Sequence, residues 1–272
     1  MNFLALIVAL ALQQFAGPHA PWHRDAWFAD WWRWLEARGA SPVLAATVAV
    51  LVPALAALWL LAVVGGWLFG LVGLAAAVLL LLYALGRGDF NGLLADLRVH
   101  SAAGDGEAAW LTAVERLPQL EAEGDGGGRS PDEELRAALL YEACQRWYAP
   151  VFFFVLAGPA AAFAYRLLQF AAARSAPAQR ALFFADWAPA RLLALTFAVT
   201  GDFAAASRAL GSGEEPAASV LAATARRALG AAAASPGAAA TQLAVELGAL
   251  ERLLARSAGA WLIVLSLGYL LL

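Results

Sequence analysis

The sequence predicts an all-α membrane protein, a polytopic bundle of about four to six transmembrane or membrane-embedded helices with cytosolic amphipathic helices. Hydrophobic residues make up 62% of the chain and charged residues 14%, and the mean hydropathy is +0.67. Apolar runs recur at about the 20-residue length that a helix needs to cross the hydrocarbon core. The chain also carries 11 Trp, a residue that favours membrane interfaces.

Three apolar runs are clear membrane spans. The first covers residues 43–64, and the second covers residues 67–85 after Gly65 and Gly66, which leave room only for a tight hairpin between antiparallel helices. The third covers residues 150 to about 172 and opens at Pro150, where the missing N–H of proline is tolerated. We therefore expect the first two spans to return the chain to the side that it left.

Three further runs are weaker candidates. Residues 187–200 are short for a span and predict a tilted or partly re-entrant helix. Residues 261–272 become long enough only if their helix begins near Leu253. Residues 2–15 lack a basic stretch in front and a small-residue cleavage site behind, so we expect an uncleaved helix rather than a signal peptide.

The distribution of arginine predicts the orientation. Arginine supplies all 18 basic residues, and short loops rich in basic residues stay in the cytoplasm. With these spans, Arg174 and Arg180 lie on one side of the membrane, and thirteen other arginines share the opposite side: Arg24, Arg33, Arg38, Arg87, Arg98, Arg116, Arg129, Arg136, Arg146, Arg208, Arg226, Arg227 and Arg252. We therefore expect a single membrane domain, residues 1–272, with two cytosolic helical segments at about 86–149 and 201–255.

Apolar residues within the two polar segments recur at helical spacing. They predict helices over residues 91–99, through Leu93, Leu94 and Leu97, and over residues 108–117, through Trp110, Leu111, Val114 and Leu117. Residues 124–128 are glycine-rich and predict a flexible joint. Ser130 as N-cap and Pro131 as first helical residue predict a helix that runs through Glu142 and Arg146 into the third span.

Residues 22–38 carry five Trp and Phe28 among alternating charges. Because aromatic rings with polar edges favour the headgroup region, this pattern predicts an amphipathic helix lying at the interface. A tryptophan cage for a substrate cation is the alternative.

Several site types find no support in the sequence. Cys144 is the only cysteine and the three histidines are scattered, so neither a disulfide nor a metal site is predicted. Residues 124–128 lack the Lys-Ser/Thr and the preceding strand of a phosphate loop, so they are weak evidence for a nucleotide and no cofactor is expected. A net charge of −3 gives no basic face for nucleic acid.

Ionisable residues at the ends of apolar runs indicate a buried site, because such groups are costly at membrane depth unless they are paired or face a cavity. Glu142 and Arg146 can instead form an ordinary i,i+4 ion pair, and Arg191 can extend to the interface. Arg166 and Arg191 on neighbouring runs repel each other unless they share an anion or carboxylates, so we predict a site for the phosphate or carboxylate of an amphiphile. The predicted ligand-binding residues are Glu142, Arg146, Tyr165, Arg166, Asp186, Pro189, Arg191 and Asp202.

The motifs of residues 131–203 resemble those of the AmpE family, membrane proteins paired with the AmpD amidase in β-lactamase regulation. The resemblance rests on Glu142-Ala-Cys-Gln-Arg146-Trp-Tyr-Ala-Pro150, Gly158-Pro159 with Tyr165-Arg166, Asp186-Trp-x-Pro189-x-Arg191, and the paired Gly88-Asp89-Phe90 and Gly201-Asp202-Phe203. It implies a multi-pass protein of the bacterial inner membrane that modulates β-lactamase induction through peptidoglycan recycling. A protein partner in the AmpD pathway and a homodimer formed through span faces are the expected partners, besides the bilayer.

The same elements are more distantly similar to the CobD/CbiB family, the adenosylcobinamide-phosphate synthases. Where those synthases carry a Glu-Asn-x-Ser-Asp run, Glu142 is followed by Ala, Cys, Gln and Arg146. Residues 167–173 are mainly apolar where the synthases carry Asn-Thr-x-Asp-Ser. Because the missing acids remove metal and acid/base groups, no catalytic residue is expected. A CobD-like enzyme or binding protein for an amine-containing phosphate compound stays open as an alternative, and a muropeptide-like transporter is a third, without an evident inverted repeat.

Overall fold

The computed structural model describes residues 2–15, 25–86, 89–117, 120, 130–211, 215–230 and 239–271. The structure is 89% helical and contains no strand in these ranges, which confirms the predicted fold class. The chain divides into two compact units. The first comprises Met1–Gly88 and Gln145–Pro189, and the second comprises Asp89–Cys144 and Ala190–Leu272. The glycine-rich joint at residues 124–128 lies outside the described residues.

Within these ranges, four helices are long and apolar enough to cross a membrane. They are Pro42–Val64, Trp67–Ala84, Ala176–Thr200 and Gln242–Leu271. The first two agree with the predicted spans to within a residue at each end.

The first unit begins with three helices, α1 (Asn2–Phe15), α2 (Ala26–Ala37) and α3 (Pro42–Val64). The run at residues 2–15 is therefore helical, as predicted. Helix α2 buries Phe28, Trp32 and Leu35 on one face, so the aromatic segment packs inward through part of its surface. Its location at a membrane interface stays a prediction.

A tight turn joins α3 to α4 (Leu71–Ala84), as Gly65 and Gly66 predicted. A Cβ on Gly73 would lie 3.0 Å from the Cα of Gly65, so the two helices approach closely where the hairpin closes. The turn continues through the 3-10 helix Trp67–Gly70, in which Leu68 and Phe69 have positive φ angles of 47° and 57°. Bulky side chains rarely adopt this conformation.

The third predicted span is not one helix. The helix that starts at Pro131 passes through a π-helical segment, Cys144–Tyr148, into α8 (Ala149–Ala157). It ends at Gly158, with φ 84° and ψ −175°, and α9 (Pro159–Ala172) begins at the next residue. Only glycine adopts this backbone conformation readily, and proline is favoured as the first helical residue. The prediction of a continuous helix over residues 150–172 was wrong because it treated Gly158 as a helical residue.

The next helix, α10 (Ala176–Thr200), is much longer than the predicted run 187–200. The Ser175 hydroxyl accepts a hydrogen bond from the backbone N–H of Ala178 at 3.3 Å, which caps the start of the helix. Polar residues in the first turns lower the hydropathy without stopping the helix, so the apolar run alone marked its start too late. The chain passes from the first unit to the second within α10.

Within the described residues, the second unit contains six other α-helices apart from the end of α10. They are α5 (Phe90–Ala102), α6 (Gly106–Arg116), α7 (Pro131–Ala143), α12 (Ala217–Leu229) and α13 (Ala239–Leu271), with the short α11 (Phe203–Ala206) before α12. The helices expected over residues 91–99 and 108–117 are confirmed, as is the helix start at Ser130, whose hydroxyl accepts from the N–H of Glu133 at 3.3 Å.

Two details of the second unit differ from the predictions. Helix α6 packs through Ala109 and Ala113, whereas Leu111 is 62% exposed. Helix α13 begins at Ala239 rather than near Leu253, so the end of the predicted polar segment 201–255 belongs to the same helix as the C-terminal apolar run. The cytosolic location of that segment stays a prediction.

Helix α13 packs against a different helix along each of its two halves. Its polar first half lies against α5, where Arg98 pairs with Glu251 at 3.0 Å. Its apolar half lies against the end of α10, where the indole of Trp261 donates to the hydroxyl of Thr196 at 3.0 Å. The hydroxyls of Thr200 and Ser257 are 3.5 Å apart one turn away, so α10 and α13 run antiparallel where they meet.

Candidate functional site

A fully buried carboxylate, that of Asp186, lies among the helices of the first unit. The Tyr165 hydroxyl donates to one of its oxygens at 2.5 Å, and the side-chain amide of Gln145 donates to the other at 2.8 Å. A buried carboxylate is costly unless hydrogen bonds compensate for lost water. These two donors supply that compensation, and both carboxylate oxygens are engaged.

Three different elements bring these side chains together. Asp186 lies within the long helix α10, Tyr165 on α9, and Gln145 in the π-helical segment before α8. Pro150 follows that segment closely and has no N–H. In the π-helical pattern the carbonyl of residue 145 would accept a hydrogen bond from the backbone N–H of residue 150. Proline has no N–H and cannot donate this bond. The side-chain amide of Gln169 donates to this carbonyl instead, at 3.1 Å.

Gln169 extends the network to a cation. Its amide oxygen accepts a hydrogen bond from the guanidinium of Arg166 on the same helix. The Arg166 guanidinium also lies over the ring of Phe170, 4.6 Å from the ring centroid. Arg166 is therefore held by α9 itself, and its contact with Gln169 links it to the π-helical segment. We call Gln145, Tyr165, Arg166, Gln169 and Asp186 the Asp186 network.

Apolar side chains enclose the Tyr165 end of the network. The ring of Phe153 stacks on that of Tyr165 with the centroids 4.9 Å apart. Tyr165 also belongs to a buried cluster with Ala149 and Leu182. Hydrogen bonds in such low-dielectric surroundings are electrostatically stronger than in water, and leaving one of the partners unpaired is correspondingly costly.

Arg146, also in the π-helical segment, lies beside the end of α4. A Cβ placed on Gly86 would come 2.1 Å from the Cγ of Arg146, so the arginine chain runs directly over this glycine. Its guanidinium lies 5.9 Å from the ring centroid of Trp147. Gly86 is thus required by the close approach of Arg146.

Three predicted site residues belong to the second unit. Glu142 is half-buried near the end of α7. Arg191 donates to the backbone carbonyl of Glu215 at 3.3 Å. Asp202 caps α11, because its side chain accepts from the N–H of Ala205 at 3.0 Å.

The two Gly-Asp-Phe motifs share one structural role. The carboxylate of Asp89 accepts from the N–H of Gly92 at 2.7 Å and so caps α5, as Asp202 caps α11. Gly201 has a further requirement, since a Cβ there would lie 2.5 Å from the carbonyl oxygen of Ala228. Local backbone geometry therefore accounts for both aspartates.

Of the eight predicted site residues, the structure gathers Tyr165, Arg166 and Asp186 into one network. Pro189 is buried one turn after Asp186, and α10 continues through it. The anion shared by Arg166 and Arg191 stays a prediction. The sequence prediction did not include the two glutamines, Gln145 and Gln169. Gln145 lies within the motif around Cys144. Gln169 is the polar residue in the apolar run 167–173, one helical turn after Tyr165.

The Asp186 network combines a carboxylate, a phenol, two amides and a guanidinium. Such a set can hold a polar group in a fixed orientation by hydrogen bonding. Across the described ranges, no group of three or more His, Cys, Asp or Glu side chains is placed to hold a metal ion.

Comparison with known proteins identifies a family. The family model described as "Regulatory signalling modulator protein AmpE" matches residues 1–247. No curated protein sequence and no solved structure matches the chain. Because the matched region covers nearly all of the chain, this protein belongs to the AmpE family of regulatory signalling modulators.

Proposed function

We propose that this protein modulates β-lactamase induction from the bacterial inner membrane, in connection with peptidoglycan recycling and without chemistry of its own. The observation that carries the proposal is the match to a family of regulatory signalling modulators over residues 1–247. A regulator in the membrane responds to a ligand or a partner and passes the response to another protein. The AmpD pathway is the expected source of that partner.

The structure of the Asp186 network supports a binding or positioning role over catalysis. Both oxygens of Asp186 accept hydrogen bonds from protein groups, and the side chain is fully buried. A general acid or base must reach the proton that it transfers. A carboxylate enclosed in this way fixes the relative positions of α9, α10 and the π-helical segment, which is the behaviour expected of an element that couples helices.

Induction can be measured directly in a bacterium that lacks its own copy of the gene. β-Lactamase activity would be followed after exposure to an inducing β-lactam, with the wild-type chain, with Asp186→Asn and with Asp132→Asn supplied in its place. Asp132 is exposed in the first turn of α7, so Asp132→Asn is the matched control. We expect the wild type and the control to restore the same induction profile and Asp186→Asn to alter it. Equal induction with and without the wild-type chain would contradict the proposal.

The alternative is a CobD/CbiB-like protein that acts on or binds an amine-containing phosphate compound. It is favoured by one observation, the buried polar network at Tyr165 and Asp186 within the segment that carries the more distant resemblance. Thermal unfolding of the detergent-purified protein separates the two functions. A rise in Tm with cobinamide plus ATP, lost in Asp186→Asn but retained in Asp132→Asn, would favour the alternative over a regulator without chemistry.

A further inference from the structure

A cavity of about 550 Å³ lies within the second unit, between α7, α12 and α13. Small-molecule sites commonly have volumes of about 300–1,000 Å³. The charged residues of its lining are Glu133 and Arg136 of α7, Arg226 of α12, and Glu246 of α13. None of these residues belongs to the Asp186 network or to the predicted site.

The four charges form two ion pairs of opposite orientation along α7. Glu133 accepts from Arg226 at 2.9 Å, whereas one turn later Arg136 donates to Glu246. Residues three apart lie on the same face of a helix, so α7 presents an anion and a cation to the cavity side by side. The lining therefore carries two positive and two negative charges and is neutral in sum.

The two pairs differ in burial. The side chains of Arg136 and Glu246 are 23% and 11% exposed, and those of Arg226 and Glu133 are 63% and 38% exposed. Glu246 also accepts a hydrogen bond from the side-chain amide of Gln242 at 3.1 Å. The inner pair is thus fixed by a third group, while the outer pair is open to water and able to exchange its partners.

The remaining surface of the cavity is mainly apolar, with Ser219 and Gln242 as its uncharged polar side chains. It includes Ala137, Leu140, Ala222, Ala223, Leu229 and Leu250. Because the alanine side chains are short, the helices that carry them border the cavity without filling it. This surface favours a ligand with a small apolar body.

We propose that the cavity binds a small zwitterion with an apolar body, of the class of apolar amino acids and short apolar peptides. The ligand's carboxylate pairs with an arginine of the lining, and its ammonium group pairs with a glutamate. A polyanion such as a nucleotide would meet both glutamates, and a simple cation would meet both arginines, so a ligand with both charges fits best. This binding goes beyond the proposed regulatory function and does not depend on it.

The test is isothermal titration calorimetry of the full chain in detergent, with trialanine as the probe. We expect saturable binding of trialanine and at least tenfold weaker binding of N-acetyl-trialanine amide, which has the same body without either charge. ATP and glycerophosphoethanolamine serve as the other probes. The latter carries an ammonium group and a phosphate, as a zwitterionic lipid headgroup does.

Three variants locate the site. Arg226→Gln removes the exposed cation of the outer pair and is expected to weaken trialanine binding at least tenfold. Ala223→Leu narrows the cavity without changing a charge and is expected to weaken it to a similar degree. Arg208→Gln is the matched control, because Arg208 is exposed in the same unit, donates to the carbonyl of Ala204 at 3.1 Å, and does not line the cavity.

Equal helical content by circular dichroism in all variants will show that each is folded. The proposal is overturned if the folded wild type does not bind trialanine or binds the blocked peptide equally well. It is also overturned if Arg226→Gln binds trialanine as tightly as the wild type, or if ATP or glycerophosphoethanolamine binds more tightly than trialanine.

Discussion

The hydroxyl of Tyr165 lies 2.5 Å from the carboxylate of Asp186 and donates a hydrogen bond to it. Tyr165 is only 3% exposed and Asp186 is fully buried. The bond joins α9 to α10 on the chain segment that carries the strongest family motifs. Its strength can therefore be measured as a coupling between two helices.

Tyr165→Phe is expected to lower the free energy of unfolding by about 1–3 kcal/mol, because it leaves a buried carboxylate with one donor fewer. A double-mutant cycle with Asp186→Ala, which removes both acceptor oxygens, isolates the contact from other effects of each substitution. Hydrogen bonds between membrane helices have given couplings of about 0.6 kcal/mol on average and up to about 1.7, and we expect a value in this range. Unfolding in mixed micelles would be followed for the four proteins. Additive effects of the two substitutions would contradict a direct bond.

Gly158→Ala is expected to destabilise the protein by about 1–3 kcal/mol, since the φ of 84° and ψ of −175° at Gly158 are almost restricted to glycine. Crowding is not the reason, because a Cβ at this position meets nothing within 4 Å. A Cβ at Gly259 likewise meets nothing within 4 Å, but Gly259 lies within α13 at a normal helical φ.

Gly259→Ala is therefore the matched control, and it should leave the stability unchanged or slightly raised. Thermal unfolding in detergent compares the two variants. If Gly158→Ala were as stable as the control, the break between α8 and α9 would not be needed for the fold.

Asp89→Ala and Asp202→Ala are each expected to cost about 1 kcal/mol, because each removes the oxygen that caps a helix. The corresponding Asn variants retain a capping oxygen and should lose much less. Chemical unfolding of the four variants tests this. If the charge of Asp202 instead bound a ligand, Asp202→Asn would impair function as much as Asp202→Ala does, even though the Asn variant kept its stability.

The ion pair between Glu133 and Arg226 predicts the course of the chain through the membrane. Its two partners are 2.9 Å apart within one unit, so α7 and α12 lie on the same side of the bilayer. The chain between them must then cross an even number of times. Helix α10 is long and apolar enough to supply one crossing, and we expect the broken pair α8 and α9 to supply the other.

Labelling with a membrane-impermeant maleimide tests this topology in a Cys144→Ala background. Single cysteines at Asp132 and Arg227, exposed residues of α7 and α12, should react from one side of the membrane. A cysteine at Ala173, exposed where α9 ends, should react from the opposite side. Reaction of all three from the same side would show that α8 and α9 do not complete a crossing.

The sequence alone determined the elements whose signals are local. A run of apolar residues long enough to span the bilayer, ended by Gly65 and Gly66, identifies α3 without knowledge of any contact. Ser130 followed by Pro131 identifies the start of α7 in the same way, since a cap involves only one turn of backbone. The motifs near Glu142 and Asp186 also identified the family that the match over residues 1–247 confirms.

Tertiary structure decided which polar residues meet. Gln145 and Asp186 are 41 residues apart, and neither local spacing nor hydropathy relates them. Gln169 was overlooked because one amide hardly changes the hydropathy of an apolar run, yet it replaces the donor that Pro150 lacks. The cavity between Glu133, Arg226 and Glu246 likewise has no sequence signal, because it exists only where three separate helices pack. Local chemistry fixes where helices begin and end, whereas a site built from several helices depends on packing between distant segments.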